Sequence, residues 1–77
     1  MDMRRLVGRN VRRLRLGCGV TQEELAVKSG FGQNYISDLE RGRRNPTVVT
    51  LWEIALAIGV TPVDLITPDA EAHADRP

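Results

Sequence analysis

An all-α fold of five short helices is predicted for this 77-residue chain. Apolar residues recur at three- and four-residue spacing along most of its length, helix-starting Thr and helix-stopping Gly residues bracket the recurrent runs, and no segment alternates with the period of two that a half-buried strand needs. A hydrophobic fraction of 42% with 27% charged residues is that of a globular chain, long enough for one small core.

Met3, Val7, Val11, Leu14 and Cys18 share one face at 100° per residue, which predicts a first helix from about Arg4 to Leu16, stopped by Gly17 and Gly19. Arg5, Arg9, Arg12 and Arg13 fall on the opposite, solvated side. Thr21-x-x-Glu24 is a capping box, in which hydroxyl and carboxylate satisfy each other's orphan amides, so a second helix runs from Gln22 to Ser29 with Leu25 and Ala26 inward and Gly30 as the turn. A third spans Gln33 to Arg41 on Ile36 and Leu39, with Gly42 just past its end. Thr47 caps a fourth, whose core stripe is Leu51, Ile54, Ala55 and Ile58 and which Gly59 closes. Thr61-Pro62-Val63-Asp64 puts proline at the first position and an acid in the first turn of a fifth, with Leu65 inward. Residues 1–66 thus form the domain, and 67–77, small, polar and bounded by prolines, read as a disordered tail.

Net charge is +1, but residues 1–45 carry ten basic and five acidic side chains, and residues 46–77 one basic and five acidic. Ten of the eleven basic residues are arginine, which suits bidentate contact with phosphates and base edges. Cys18 is the only cysteine and His73 the only histidine, so neither an internal disulfide nor a zinc site can be built, and a reducing cytoplasm is expected. No cofactor, metal or small-molecule ligand is expected. The apolar runs are too short for a membrane span, the N-terminus lacks the pattern of a signal peptide, and no nucleophile–base pair or phosphate loop suggests an enzyme.

The second and third helices, joined by a tight glycine-containing turn, match a helix-turn-helix, which presents its second helix as a ridge. With Ile36 as zero, Asn34, Ser37, Asp38 and Arg41 project between about 100° and 200°, with Gln33 at the N-terminal edge. Asn and Gln can pair bidentately with adenine, Ser can bond several edges and Asp can accept from the cytosine amine, so this face is chemically suited to major-groove reading. Arg41, Arg43, Arg44 and Asn45 follow, where the chain leaves the helix and can grip phosphates. Tyr35 has two readings: its hydroxyl donates to a phosphate, or its ring packs against the fourth helix.

The order and spacing of TQEELAVKSG, YISDLERGRRNPT and LWEIALAIGV resemble the Cro/C1-type helix-turn-helix proteins, or XRE family, of bacterial and phage regulators, over roughly Leu6 to Ile66. The resemblance implies a five-helix, lambda repressor-like DNA-binding domain, commonly dimeric on pseudo-palindromic operators. It implies that Gln22 touches a phosphate, that Gln33, Asn34, Ser37 and Asp38 stand at base-reading positions, and that Arg41, Arg43, Arg44 and Asn45 follow the adjacent phosphates. Arg15 and Glu40 match a pair that forms an interhelical salt bridge in relatives, and both lie at the margin of the core face. Gly32 departs from the pattern, because Ser or Thr more often fills that cap, and Asp38 brings a carboxylate toward phosphates that repel it unless a cytosine amine or a nearby arginine holds it.

Val49, Trp52 and Leu56 cluster about 130° from Leu51 and give the fourth helix a second apolar stripe. With Val63 and Ile66 they are expected to form a symmetric homodimer interface, which brings two reading helices to one double-stranded site. The expected function is a dimeric, sequence-specific transcriptional regulator of the restriction-modification controller or phage-repressor kind. The competing reading is an antitoxin or protein-interaction module on the same fold.

Overall fold

The computed structural model describes residues 2–68, which form five helices and no strand. These are α1 (Met3–Gly17), α2 (Gln22–Ser29), α3 (Gln33–Glu40), α4 (Val48–Ile58) and α5 (Pro62–Ile66). Residues 69–77, the greater part of the segment read as a tail, lie outside the described residues.

Caps decide where the helices begin. Thr21 accepts from the Glu24 N–H at 3.0 Å while the Glu24 carboxylate accepts from the Thr21 N–H at 3.1 Å. Thr61 and Asp64 form a second such box at 3.3 and 2.9 Å, and Thr47 accepts from the Thr50 N–H at 3.1 Å. In both boxes the cap's backbone N–H, and after it the cap's hydroxyl, stabilises the ionised acid and holds the carboxyl of Glu24 and of Asp64 below its ordinary range. Asp2 caps α1 by accepting from the Arg4 N–H at 3.0 Å, which starts that helix a residue earlier than the apolar periodicity suggests. Gly32 has no side chain to offer, and α3 begins without a side-chain cap.

The core is one cluster of Val7, Val11, Val20, Leu25, Ile36, Leu39, Ile54, Ala55, Ile58 and Leu65. Two residues assigned to the inner face of α1 do not join it: Met3 is half exposed and Cys18 is exposed. Met3 is the first residue of α1. Cys18 is the C-cap, where the backbone leaves the helical path and a helical projection no longer applies. Val20 takes the inward position instead, its N–H donating to the Arg15 carbonyl at 3.0 Å.

Two residues of α1 fix its neighbours. Gly8 is buried against the C-terminal end of α3; a Cβ there would collide with the Leu39 carbonyl oxygen and lie 2.7 Å from that of Glu40, so α1 and α3 cross at backbone contact. Asn10 is fully buried, donating from Nδ2 to the carbonyls of Leu65 at 3.0 Å and Thr67 at 2.9 Å and accepting from Arg13 Nη2 at 3.2 Å. One amide thereby satisfies two carbonyls at the end of a five-residue helix that has few internal bonds of its own.

Candidate nucleic-acid interface

α2 and α3 are joined by the turn Gly30–Phe31–Gly32, and α3 is seated from below by Ile36 and Leu39, both fully buried, while Ala26 of α2 packs partly buried against the core. With its apolar side spent there, α3 turns Gln33 and Asn34 fully outward and leaves Ser37 and Asp38 half-buried along the same ridge. Side-chain amides, a hydroxyl and a carboxylate are thus presented on a rigid helix rather than on a loop.

Behind the ridge, Arg15 and Glu40 tie α1 to α3. Arg15 donates from Nε to Glu40 Oε2 at 2.6 Å and from Nη2 to Oε1 at 3.0 Å, with side chains 8% and 4% exposed. Its third nitrogen, Nη1, donates to the Val20 carbonyl at 2.9 Å, and Gln22 Nε2 donates to Glu40 Oε1 at 3.0 Å. The fork-to-fork geometry and the added bonds supply what a desolvated ion pair requires. They also turn the amide of Gln22, the residue expected at a phosphate, toward Glu40, with one of its two N–H groups committed inside the protein.

The exit from α3 is a Schellman turn. Arg43 N–H donates to the Asp38 carbonyl at 2.9 Å, Gly42 N–H to that of Leu39 at 3.0 Å, and Gly42 adopts φ +77°, a left-handed conformation that favours glycine. This fixed turn points the following segment along the end of the ridge, with Arg41, Arg43, Arg44 and Asn45 all exposed. Arg44 Nη2 lies 3.6 Å from Asp38 Oδ2, and its guanidinium carbon 5.2 Å from the centroid of the Tyr35 ring. Tyr35 stacks on Phe31 with centroids 5.0 Å apart, a contact four residues back in sequence that neither reading of Tyr35 contained. The signal was present in the i, i+4 spacing of the two aromatics.

On α4 and α5, Val49, Trp52, Leu56, Val63 and Ile66 are between 42% and 68% exposed, an accumulation of large apolar side chains outside the core. Among the described residues no His/Cys/Asp/Glu cluster could hold a metal ion, and no helix is long and apolar enough to cross a membrane.

A short helix seated on its predecessor, with an arginine-bearing turn at its exit, defines a helix-turn-helix domain. The HTH_3 profile, described as helix-turn-helix, matches residues 11–65, and the chain belongs to this XRE family of DNA-binding transcriptional regulators. It is 62% identical over 71 residues, 92% of each chain, to an uncharacterized HTH-type transcriptional regulator, y4dJ, of Sinorhizobium fredii. It is also 41% identical over 66 residues to the control protein C.BamHI of Bacillus amyloliquefaciens, covering 84% of this chain and 82% of that one. The crystal structure of the hypothetical transcription factor NHTF from Neisseria superposes with a TM-score of 0.85 at 34% identity, over 95% of this chain and 84% of that one. The all-helical fold read from the sequence and the family resemblance both hold.

Proposed function

We propose that the protein is a dimeric, sequence-specific operator-binding regulator of the restriction-modification controller kind. The observation that carries this is the ridge of α3, whose outward polar residues stand beside an arginine segment locked by the Schellman turn. Gln33, Asn34 and Ser37 read base edges, with Asp38 on the same face. Gln22, Arg41, Arg43, Arg44, Asn45 and the Tyr35 hydroxyl hold phosphates. The apolar surface of α4 and α5 joins two copies, so that promoter occupancy follows protein concentration through dimerisation. DNA and a second copy are its partners, in the cytoplasm, and it has no catalytic role, cofactor or small-molecule ligand.

Selection of bound sequences from a random duplex pool is expected to return a pseudo-palindrome with half-sites about one helical turn, roughly 34 Å, apart. Asn34→Ala is expected to relax preference at one position per half-site, by roughly 1–3 kcal/mol, whereas Arg43→Ala weakens all sequences alike and flattens the salt slope by about 1. Equal losses of Asn34→Ala on selected and random duplex would remove base reading from this face.

Trp52→Ala is expected to weaken self-association by about 2 kcal/mol, roughly 30-fold, since large buried aromatics dominate interfaces. Sedimentation equilibrium at micromolar concentration measures it, and a strictly monomeric wild type would end the dimer reading.

A further inference from the structure

The ridge that would meet DNA contains an internal ion pair. Arg44 Nη2 sits 3.6 Å from Asp38 Oδ2, with side chains 48% and 34% exposed, and the guanidinium also lies over Tyr35, itself stacked on Phe31. Among the described residues no acid lies within ion-pair distance of Arg41 or Arg43, so these two cations of the segment are uncompensated while Arg44 is not.

An ion pair has no net charge, and an arginine engaged by its own carboxylate releases no counterion from the duplex. In open water so exposed a pair is weak. Beside DNA it is harder to break, because a guanidinium that leaves for a phosphate abandons the carboxylate to the repulsion of the backbone. The ring of Tyr35 adds a cation–π hold in the same place. Resting on the DNA-binding reading above, in which Arg44 holds a phosphate at the operator, we infer that Asp38 is a positioning residue that restrains Arg44 from the phosphates of DNA of arbitrary sequence and thereby lowers affinity for it. Proteins that must find one site among many benefit from weaker sequence-independent binding.

The test uses the full chain and a labelled 30-base-pair duplex of random sequence, titrated between 50 and 200 mM salt. Asp38→Asn keeps the shape of a partly exposed side chain, and a thermal melt by circular dichroism checks that each variant is folded. Asp38→Asn is expected to tighten binding about three- to ten-fold near 0.1 M salt and to steepen the slope of log K against log salt by about 0.9 per released arginine. In an Arg44→Ala background the same change should lose most of its effect. An equal gain with or without Arg44 would mean that the carboxylate merely repels phosphates, and would overturn the restraint. Unchanged or weaker binding to the random duplex would overturn it too. Failure of this cycle leaves the operator proposal standing, since that is decided by the selection experiment and by Asn34→Ala; the cycle in turn needs no operator.

Discussion

Glu40→Ala is expected to destabilise the domain by about 3–5 kcal/mol, because it leaves the Arg15 guanidinium buried without its counter-charge. A chain of this length has about 4–12 kcal/mol of stability in total, so the substitution removes roughly a quarter of it or more. The loss reaches beyond the pair: Gln22 forfeits its acceptor, and α2 and α1 lose their shared tie to α3. The double variant Arg15→Met, Glu40→Leu should recover a substantial part of the loss, since well-packed apolar residues often replace a buried pair at little cost. Urea denaturation followed by circular dichroism measures both. A loss under about 1 kcal/mol for Glu40→Ala would show that the pair behaves as a surface salt bridge.

Gly8→Ala is the second large effect, and its sign is the informative part. In an exposed helix interior the change gains about 1 kcal/mol, through higher helix propensity and a less flexible unfolded chain. At Gly8 the new methyl meets two backbone carbonyls at the end of α3, neither of which is a flexible side chain that can swing away. Overpacking of this kind costs about 1–3 kcal/mol or more, enough to reverse the propensity gain, and here it also pushes α1 and α3 apart. Gly17→Ala is the control on the same helix: nothing lies within 4 Å of its Cβ position, and it should be neutral or stabilising. Equal thermal shifts for the two variants would contradict the close crossing.

These two sites also mark where sequence reasoning succeeds and where it stops. Local signals were legible because they act within one turn: Thr21 and Glu24 set the start of α2, Gly30 its end, and Gly42 the end of α3. The all-helical class and the family followed from apolar spacing and motif order in the same way. Contacts between helices were less legible. Gly8 gives no periodic signal, because its function is to lack a side chain. Asn10 sits among apolar positions and departs from the stripe; its reason lies 55 residues away, in the carbonyl of Leu65. Leu6 and Arg15 are buried beyond that stripe because α1 is flanked by α3, α4 and α5 and its buried face is broader than one stripe. On the outward face of α3, the exposure of Gln33 and Asn34 could be read from the helical projection. That a nearby arginine holds Asp38 is one of the two readings the sequence leaves open there; that it is Arg44 depends on how the Schellman turn folds the chain back.

The Asn10 clamp has a mechanical consequence for the proposed dimer. α5 contributes Val63 and Ile66 to the surface where two copies would meet, and the carbonyls of Leu65 and Thr67 at its end are bolted by Asn10 to the same helix whose glycine abuts α3. The proposed reading ridge and joining surface are therefore tied into one body through α1. Two such bodies would work as a fixed caliper: the gap between its jaws is a property of the fold, and DNA whose half-sites are spaced otherwise must bend or twist to be gripped.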